Sequence, residues 1–367
     1  MTRLRALTPD HEIDADARRG RAASSNQPGR FEPLDRIKDH DGWDIPEECH
    51  QIRTEVRPET ARSMISYNQS PDLPFDRSIN VYRGCEHGCI YCFARPTHAY
   101  LGLSPGLDFE TKLTARMNAA QILEQEIRAP NYRVAPVAMG TNTDPYQPVE
   151  HRLGLTRACL MVLRDYRHPV AIVTKGTGIT NDIDILADMA RQGLAAVGIS
   201  ITTLDPQVAR KMEPRVPSPA KRLELIKKLS DQGIPVRIMV SPVVPGLTDA
   251  ELESILGAAK DSGARSASWI MLRLPLEVAP LVETWLQDHF PDRADKVLNR
   301  LREMHDGKLY SAQWAKRMRG EGVYAQMIGN RFETAIRRLS LAQKTKPLRT
   351  DLFRHPPRPG DQLSFFS

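Results

Sequence analysis

An α/β fold, built as a partial (β/α)6 barrel with a helical C-terminal extension, is what this sequence predicts. Between residues 78 and 275, six short β-rich runs alternate with segments of helical period. Gly193, Gly233 and Gly263 each stand where a helix should stop. Beyond Leu276 the β-rich runs cease and only helical patterning remains. Repeated βα steps imply a parallel sheet joined by right-handed crossovers, with helices outside it. Six strands rather than eight favour an open or partial barrel. A doubly wound sheet would show the same alternation, and periodicity alone does not separate the two.

Residues 1–30, which include ADARRGRAASSNQPGR, are polar, small and short of aromatics, and are expected to form a mobile arm. Residues 31–77 are a lead-in. SINVY (78–82) reads as the first strand and TARMNAAQILEQEI (114–127) as its helix. VAPVAMG (134–140) and RLGLTRACLMVLRDY (152–166) make the second pair, PVAIVTK (169–175) and NDIDILADMARQG (181–193) the third. AAVGISIT (195–202) with SPAKRLELIKKLSDQG (218–233), and IPVRIMVSPV (234–243) with TDAELESILGAAKDSG (248–263), are the fourth and fifth. ARSASWIML (264–272) is the sixth strand. ETWLQDHF, ADKVLNRLREMHDG and YAQMIGNRFETAIRRLSLAQ then predict a helical extension over residues 276–343. Residues 344–367, rich in Pro and Arg, read as a flexible tail.

Bulk composition narrows the class. The 367 residues are 41% apolar and 26% charged, values of an ordinary soluble globular protein. No run of about 18 apolar residues occurs, which excludes an ordinary transmembrane helix. The N-terminus lacks the apolar stretch of a secretory signal, so a cytoplasmic location is expected. Net charge is +6, and it is unevenly spread: Lys316 to Ser367 carries eleven basic and four acidic residues, a surplus of 7. Such an end can attract nucleic-acid phosphates, and equally can be a solvated surface.

Three of the five cysteines fall within eight residues, in RGCEHGCIYCF (83–93). In a reducing compartment clustered cysteines bind metals or do chemistry. Cys49 and Cys159 stand alone, and Cys159 reads as a small buried hydrophobe of its helix. Cys85, Cys89 and Cys92 follow the first strand, where a parallel α/β fold places its ligands. Gly84 and Gly88 allow the backbone to turn tightly around a bulky group. Zinc would need a fourth ligand, and His87 and His98 are nearby without the spacing of a zinc module. An iron-sulfur cluster fits better, because soft thiolates select it. Three thiolates leave one iron open.

The C-x3-C-x2-C loop, with aromatic Tyr91 just before its third cysteine, resembles that of the radical S-adenosylmethionine (SAM) superfamily. The resemblance implies a partial (β/α)6 barrel of the radical SAM type holding a [4Fe-4S] cluster. SAM would chelate the open iron through its amino and carboxylate groups. One electron, from a donor such as flavodoxin or ferredoxin, would then cleave it to a 5′-deoxyadenosyl radical that abstracts hydrogen from substrate. By the same resemblance Tyr91 lies against adenine, and the polar loop with Asn142, Thr143 and Asp144 meets the SAM amino group. Lys175 pairs with the carboxylate, and Ser200 meets the ribose or carboxylate. This chain lacks the superfamily's common Gly-Gly-Glu at the second strand end.

TDPYQPVE (143–150) and MEPRVPSPAKRLELIKKLSDQGIPV (from 212) are most similar to the branch of spore photoproduct lyase and DNA repair photolyase-like proteins. That likeness implies radical chemistry on DNA, although neither Cys159 nor Cys49 matches that lyase's hydrogen-returning thiol. Gln362, Leu363, Ser364, Phe365 and Phe366 resemble the pentapeptide that docks bacterial repair proteins on the DNA sliding clamp, where apolar anchors fill a preformed groove. Three expectations follow: a radical SAM enzyme acting on DNA, one modifying RNA, a peptide or a small molecule, or a non-catalytic metal-containing DNA-binding protein. No membrane partner is expected.

Overall fold

The computed structural model of the protein describes residue 13 and residues 16–32 and 52–356. Cys49 and the segment Gln362–Phe366 lie outside them. Among the described residues ten strands form two sheets: β1 (Glu55–Glu59), β2 (Ile65–Tyr67), β3 (Arg77–Ile79), β4 (Tyr82–Arg83), β5 (Lys112–Arg116), β6 (Val137–Met139), β7 (Val170–Thr174), β8 (Ala195–Ser200), β9 (Val236–Val243) and β10 (Ser266–Met271). The large sheet runs β10-β9-β8-β7-β6-β3-β2. Its pairs from β3 to β10 are parallel, and β2 is antiparallel at one edge. This order settles the alternative left open by periodicity. The six parallel strands follow one another in chain order without reversal, whereas a doubly wound sheet must reverse direction at a switch point. With crossovers of one hand, all connecting helices fall on one face, which is barrel winding.

Those helices are α1 (Leu107–Thr111), α2 (Ala119–Arg128), α3 (Glu150–Leu153), α4 (Leu155–Asp165), α5 (Ile183–Arg191), α6 (Pro206–Met212), α7 (Pro219–Asp231) and α8 (Leu252–Asp261). The extension is α9 (Val278–His289), α10 (Pro291–Met304) and α11 (Gly322–Arg338). Gly193, Gly233 and Gly263 have φ of 73°, 75° and 102°, left-handed conformations that end α5, α7 and α8 without a Cβ penalty. The core is continuous: Ile172, Val197, Ile199, Ile238 and Val240 from the strands meet Leu160, Leu163, Leu186, Leu225 and Leu256 from the helices, all buried. Cys159 is among them, a buried hydrophobe of α4 as expected.

Four expectations are corrected. SINVY is two strands: β3 joins the large sheet and β4 a small one of order β1-β5-β4. TARMNAAQILEQEI is helical only from Ala119, because Lys112–Arg116 is the central strand of that small sheet. There Leu113 and Ala115 point inward alternately, a period-2 pattern too short to be read against the helix that follows.

The N-terminal arm is docked, not mobile, over residues 16–32. Ala22 and Ala23 are buried, and their N–H groups donate to Glu110 Oε2 and Oε1 at 3.1 and 3.0 Å. The small side chains that suggested disorder are what let this backbone approach so closely. The tail is likewise docked up to Pro356. Arg349 N–H donates to Gly193 O at 3.0 Å, Arg354 N–H donates to Tyr166 O at 3.1 Å, and Phe353 packs among Tyr132, Tyr166 and His168. Among the described residues, no helix is long and apolar enough to cross a membrane.

Candidate active site and metal centre

Cys85, Cys89 and Cys92 follow β4 on one tight loop at the end of the sheet where the parallel strands finish. Gly84 and Gly88 have φ of 76° and 62°. A Cβ on Gly84 would come within 2.8 Å of Leu113 Cδ2 and 3.0 Å of Phe109 O, so only glycine lets the loop enter here. Cys85 N–H donates to Phe109 O at 2.9 Å and Ile90 N–H to Met212 O at 3.1 Å. Gln147 bridges the loop from the β6 side: its Oε1 accepts from Glu86 N–H at 2.8 Å and its Nε2 donates to Gly84 O at 3.3 Å.

Beneath the loop lies a charged floor that the sequence reading missed. Arg95, fully buried, donates to Cys89 O at 3.0 Å, Gly88 O at 3.3 Å, Pro105 O at 3.1 Å and Gly106 O at 2.9 Å. Its Nη2 pairs with buried Glu110 Oε1 at 2.6 Å. A buried charge pair persists where its remaining donors and acceptors are filled, and here backbone groups fill them. The donors of one guanidinium thus fix the carbonyls of the cysteine loop and set its curvature.

Burial pushes the Cys85 thiol well above its ordinary range and Cys89 up to about 12, in the latter case against the opposing pull of Lys175. Such thiols ionise only when a positive metal centre compensates. Each of the histidines weighed as a zinc ligand has one ring nitrogen engaged elsewhere. His98 Nε2 bonds the carbonyls of Asp108 and Lys112 at 3.1 and 3.0 Å. His87 Nδ1 lies 3.3 Å from Asp144 Oδ2. Among the described residues, no three His, Cys, Asp or Glu side chains gather round one point as a mononuclear ion requires. Three thiols spaced round a glycine-lined loop suit the separate corners of an iron-sulfur cluster.

The other predicted residues stand at the neighbouring strand ends. Asn142 and Thr143 follow β6; their N–H groups donate to Asn80 Oδ1 at 3.0 and 3.4 Å, and Thr143 Oγ1 donates to Tyr82 O at 3.3 Å. Asp144 is a joint between strand ends. It accepts from Thr174 Oγ1 at 2.6 Å, Lys175 N–H at 2.8 Å and Tyr146 N–H at 2.9 Å, and faces His87. Burial raises its carboxyl, but His87 and these donors outweigh burial and bring it down to about 2.

Ser200, at the end of β8, donates to Ser241 O of β9 at 2.9 Å. Lys175 Nζ lies 5.7 Å from the centre of the Tyr91 ring. Burial lowers the Lys175 ammonium, yet Cys89, Glu213 and Asp144 prevail and hold it above its ordinary value.

Glu213 and Arg222 complete this interior and were also missed. Both are buried, paired at 2.7 Å, and Glu213 Oε1 accepts from the Tyr91 hydroxyl and from Thr202 Oγ1. Burial raises the Glu213 carboxyl, while Arg222, Lys175 and the Tyr91 hydroxyl together bring it below its ordinary value. Tyr91 is therefore fixed at both ends, by its loop and by this carboxylate. A signal was present: Arg222 shares the apolar stripe of α7 with Leu225, Ile226 and Leu229, at i, i+3, i+4 and i+7, where a cation needs a buried partner.

The family profile described as Radical SAM superfamily matches residues 79–259. An uncharacterised protein of Mycobacterium tuberculosis is 38% identical over 235 residues, 64% of this chain and 68% of that protein. An uncharacterised protein of Methanocaldococcus jannaschii is 24% identical over 222 residues, 60% of this chain and 79% of its own length. Among solved structures, spore photoproduct lyase complexed with dinucleoside spore photoproduct superposes with a TM-score of 0.53 at 16% identity, covering 77% of this chain and 79% of that one. At that identity the likeness is one of fold.

Proposed function

Because the chain belongs to the radical SAM superfamily, we propose that it is an enzyme in which Cys85, Cys89 and Cys92 hold a [4Fe-4S] cluster that cleaves SAM, and that it acts on DNA. The observation that carries the first part is the three-thiol loop, shaped by Gly84 and Gly88 and backed by Arg95, at the C-terminal ends of a barrel-wound sheet. The DNA part is supported by the fold shared with a lyase bound to a dinucleoside photoproduct and by the basic surplus after Lys316. When bound, the cluster and SAM supply a one-electron cleavage that yields a 5′-deoxyadenosyl radical.

The chain's own residues bind and orient. Lys175, kept cationic by Cys89, Glu213 and Asp144, offers a point charge to the SAM carboxylate. Tyr91, pinned by Glu213, presents a ring that cannot rotate away from an adenine. The Ser200 hydroxyl donates to Ser241 O, which leaves its lone pairs to accept from a ribose hydroxyl. Asn142 and Thr143 offer polar groups beside the same loop. Asp144 spends its oxygens on Thr174, Lys175 and Tyr146, so its part is to position the two strand ends. An electron carrier such as flavodoxin or ferredoxin supplies the electron.

The test is anaerobic reconstitution with iron and sulfide, followed by measurement of 5′-deoxyadenosine released from SAM under a chemical reductant. The wild-type chain is expected to release it and the Cys85→Ala/Cys89→Ala/Cys92→Ala variant to fall to the reagent background. Equal release from the two would overturn the enzyme reading.

A further inference from the structure

Two exposed ring-and-guanidinium stations flank the short helical turn that leaves the cysteine loop, and nothing in the proposed radical chemistry uses them. At the first, Phe93, the residue after Cys92, is half exposed and lies under Arg273, whose Cζ is 4.9 Å from the Phe93 ring centre. Arg273 Cζ is also 5.8 Å from the Tyr310 ring centre, and its Nη2 donates to the Tyr310 hydroxyl at 3.2 Å. Arg273 stands just past the end of β10, on the same rim as the cysteines. Among the described residues no carboxylate comes within salt-bridge distance of it and its Nε–H has no partner; Asp72, itself paired with Arg317 at 2.6 Å, feels its charge only from farther off. At the second station, Phe31 and Tyr100 are exposed, their rings 5.1 Å apart, with Arg30 Cζ 4.8 and 5.0 Å from the two centres. Arg30 is neutralised by Glu277 at 3.1 Å, so this station offers ring surface without net charge.

Tyr100 lies in the 3₁₀ helix Arg95–Leu101 and Phe93 two residues before it starts, so the two are seven residues apart, on the order of 14 Å at ~2 Å per residue. That is the length of about four stacked nucleotides at ~3.4 Å each. Exposed aromatic faces combined with an arginine that has no direct carboxylate contact match one ligand chemistry best: flat bases carried on a phosphate chain. An acidic protein surface would satisfy Arg273 but leaves two exposed ring stations without a use. A duplex hides its base faces in the stack, so the rings select unpaired nucleotides.

We propose that Phe93, Arg273 and Tyr310, together with Phe31, Arg30 and Tyr100, form a binding surface for unpaired nucleotides at the mouth of the site. The surface deepens the DNA reading given above, yet its test is binding alone and requires no radical chemistry.

The experiment is fluorescence anisotropy with the reconstituted full chain and labelled 12-nucleotide strands, oligo-dT and oligo-rU, alongside a labelled 12-base-pair duplex, at two salt concentrations. Single strands are expected to bind at least tenfold more tightly than duplex. Tyr100→Ala should weaken the single strand about tenfold, as loss of one stacking face does. Arg273→Gln should lower the slope of log affinity against log salt by about one.

Equal affinity for duplex and single strand, or unchanged binding in both variants, overturns the proposal. So does a loss in Arg273→Gln of binding to a flavodoxin with oligonucleotide binding intact. Preference for oligo-dT over oligo-rU, or the reverse, identifies the strand while leaving the surface assigned. Release of 5′-deoxyadenosine measured without any strand tells a failure of this surface from a failure of the enzyme reading.

Discussion

At the scale of single residues, burial decides which protonation states the molecule tolerates. His168 is fully buried at the pole of the sheet opposite the cysteines, its Nε2 2.7 Å from the Tyr132 hydroxyl and its Nδ1 3.0 Å from Pro169 O. Burial lowers its imidazole from the ordinary 6.5 to about 4, the Pro169 carbonyl opposing and the Arg77 charge adding. Between those values the unfolded chain takes a proton that the folded chain refuses. Stability is therefore complete above pH 6.5 and is lost as pH falls towards 4, by about 3 kcal/mol from this one group. Urea midpoints measured from pH 7 to pH 4 should fall less steeply in His168→Gln than in the wild type. Parallel profiles would show that His168 does not contribute this slope.

At the scale of elements, α1 is only five residues long yet carries the floor of the cysteine loop through Glu110. Glu110→Ala leaves the Arg95 guanidinium buried without a counter-charge and should cost about 3–5 kcal/mol. Glu110→Gln keeps one acceptor oxygen, enough for one of the Ala22 and Ala23 N–H groups, and fills the same volume, so it should cost less. Urea unfolding of the two variants checks this, and an alanine variant within 0.5 kcal/mol of wild type on the order of surface substitutions would refute the floor.

The same scale shows what the sequence could and could not disclose. Strands β6 to β10 were legible because each is a run of mostly buried apolar residues, and three of the helices that follow them, α5, α7 and α8, are closed by a glycine of positive φ. The small sheet was not, since β4 is only two residues long, β1 is largely exposed, and both find β5 only across long sequence separations. The cysteines were legible from spacing. The role of Asp144 was not, because its partners Thr174 and Lys175 meet it only when β6 and β7 lie side by side. Arg222 was readable from the stripe of α7, and Arg95 gave no local sign beyond a charge among small and apolar neighbours.

At the scale of the whole molecule, strand order and the C-terminal strap divide the work between two poles. Loops after β6, β7 and β8 converge with the cysteine loop on one rim, while residues Arg349 to Pro356 cross the opposite one. Phe353 fills a ring cluster of Tyr132, Tyr166 and His168 there. Truncating it in Phe353→Ala should lower global stability by about 1–3 kcal/mol through lost apolar burial. Release of 5′-deoxyadenosine at a temperature where the variant is folded should stay at the wild-type level. A variant that is fully stable, or one that is folded but inactive, would contradict the separation of poles.

The bonds from Ala22 and Ala23 to Glu110 span 88 and 87 residues of chain. During synthesis the N-terminus emerges first, at roughly 5–20 residues per second. The three thiols leave the ribosome before the glutamate that will hold their loop, and the alanines wait longer still. For about a second or more, soft thiols hang on a loop with no floor, open to oxidants. With the cluster proposed above, delivery of iron and sulfide would compete with air from the moment Cys92 is made, and the yield of loaded protein in a cell would follow oxygen tension during translation.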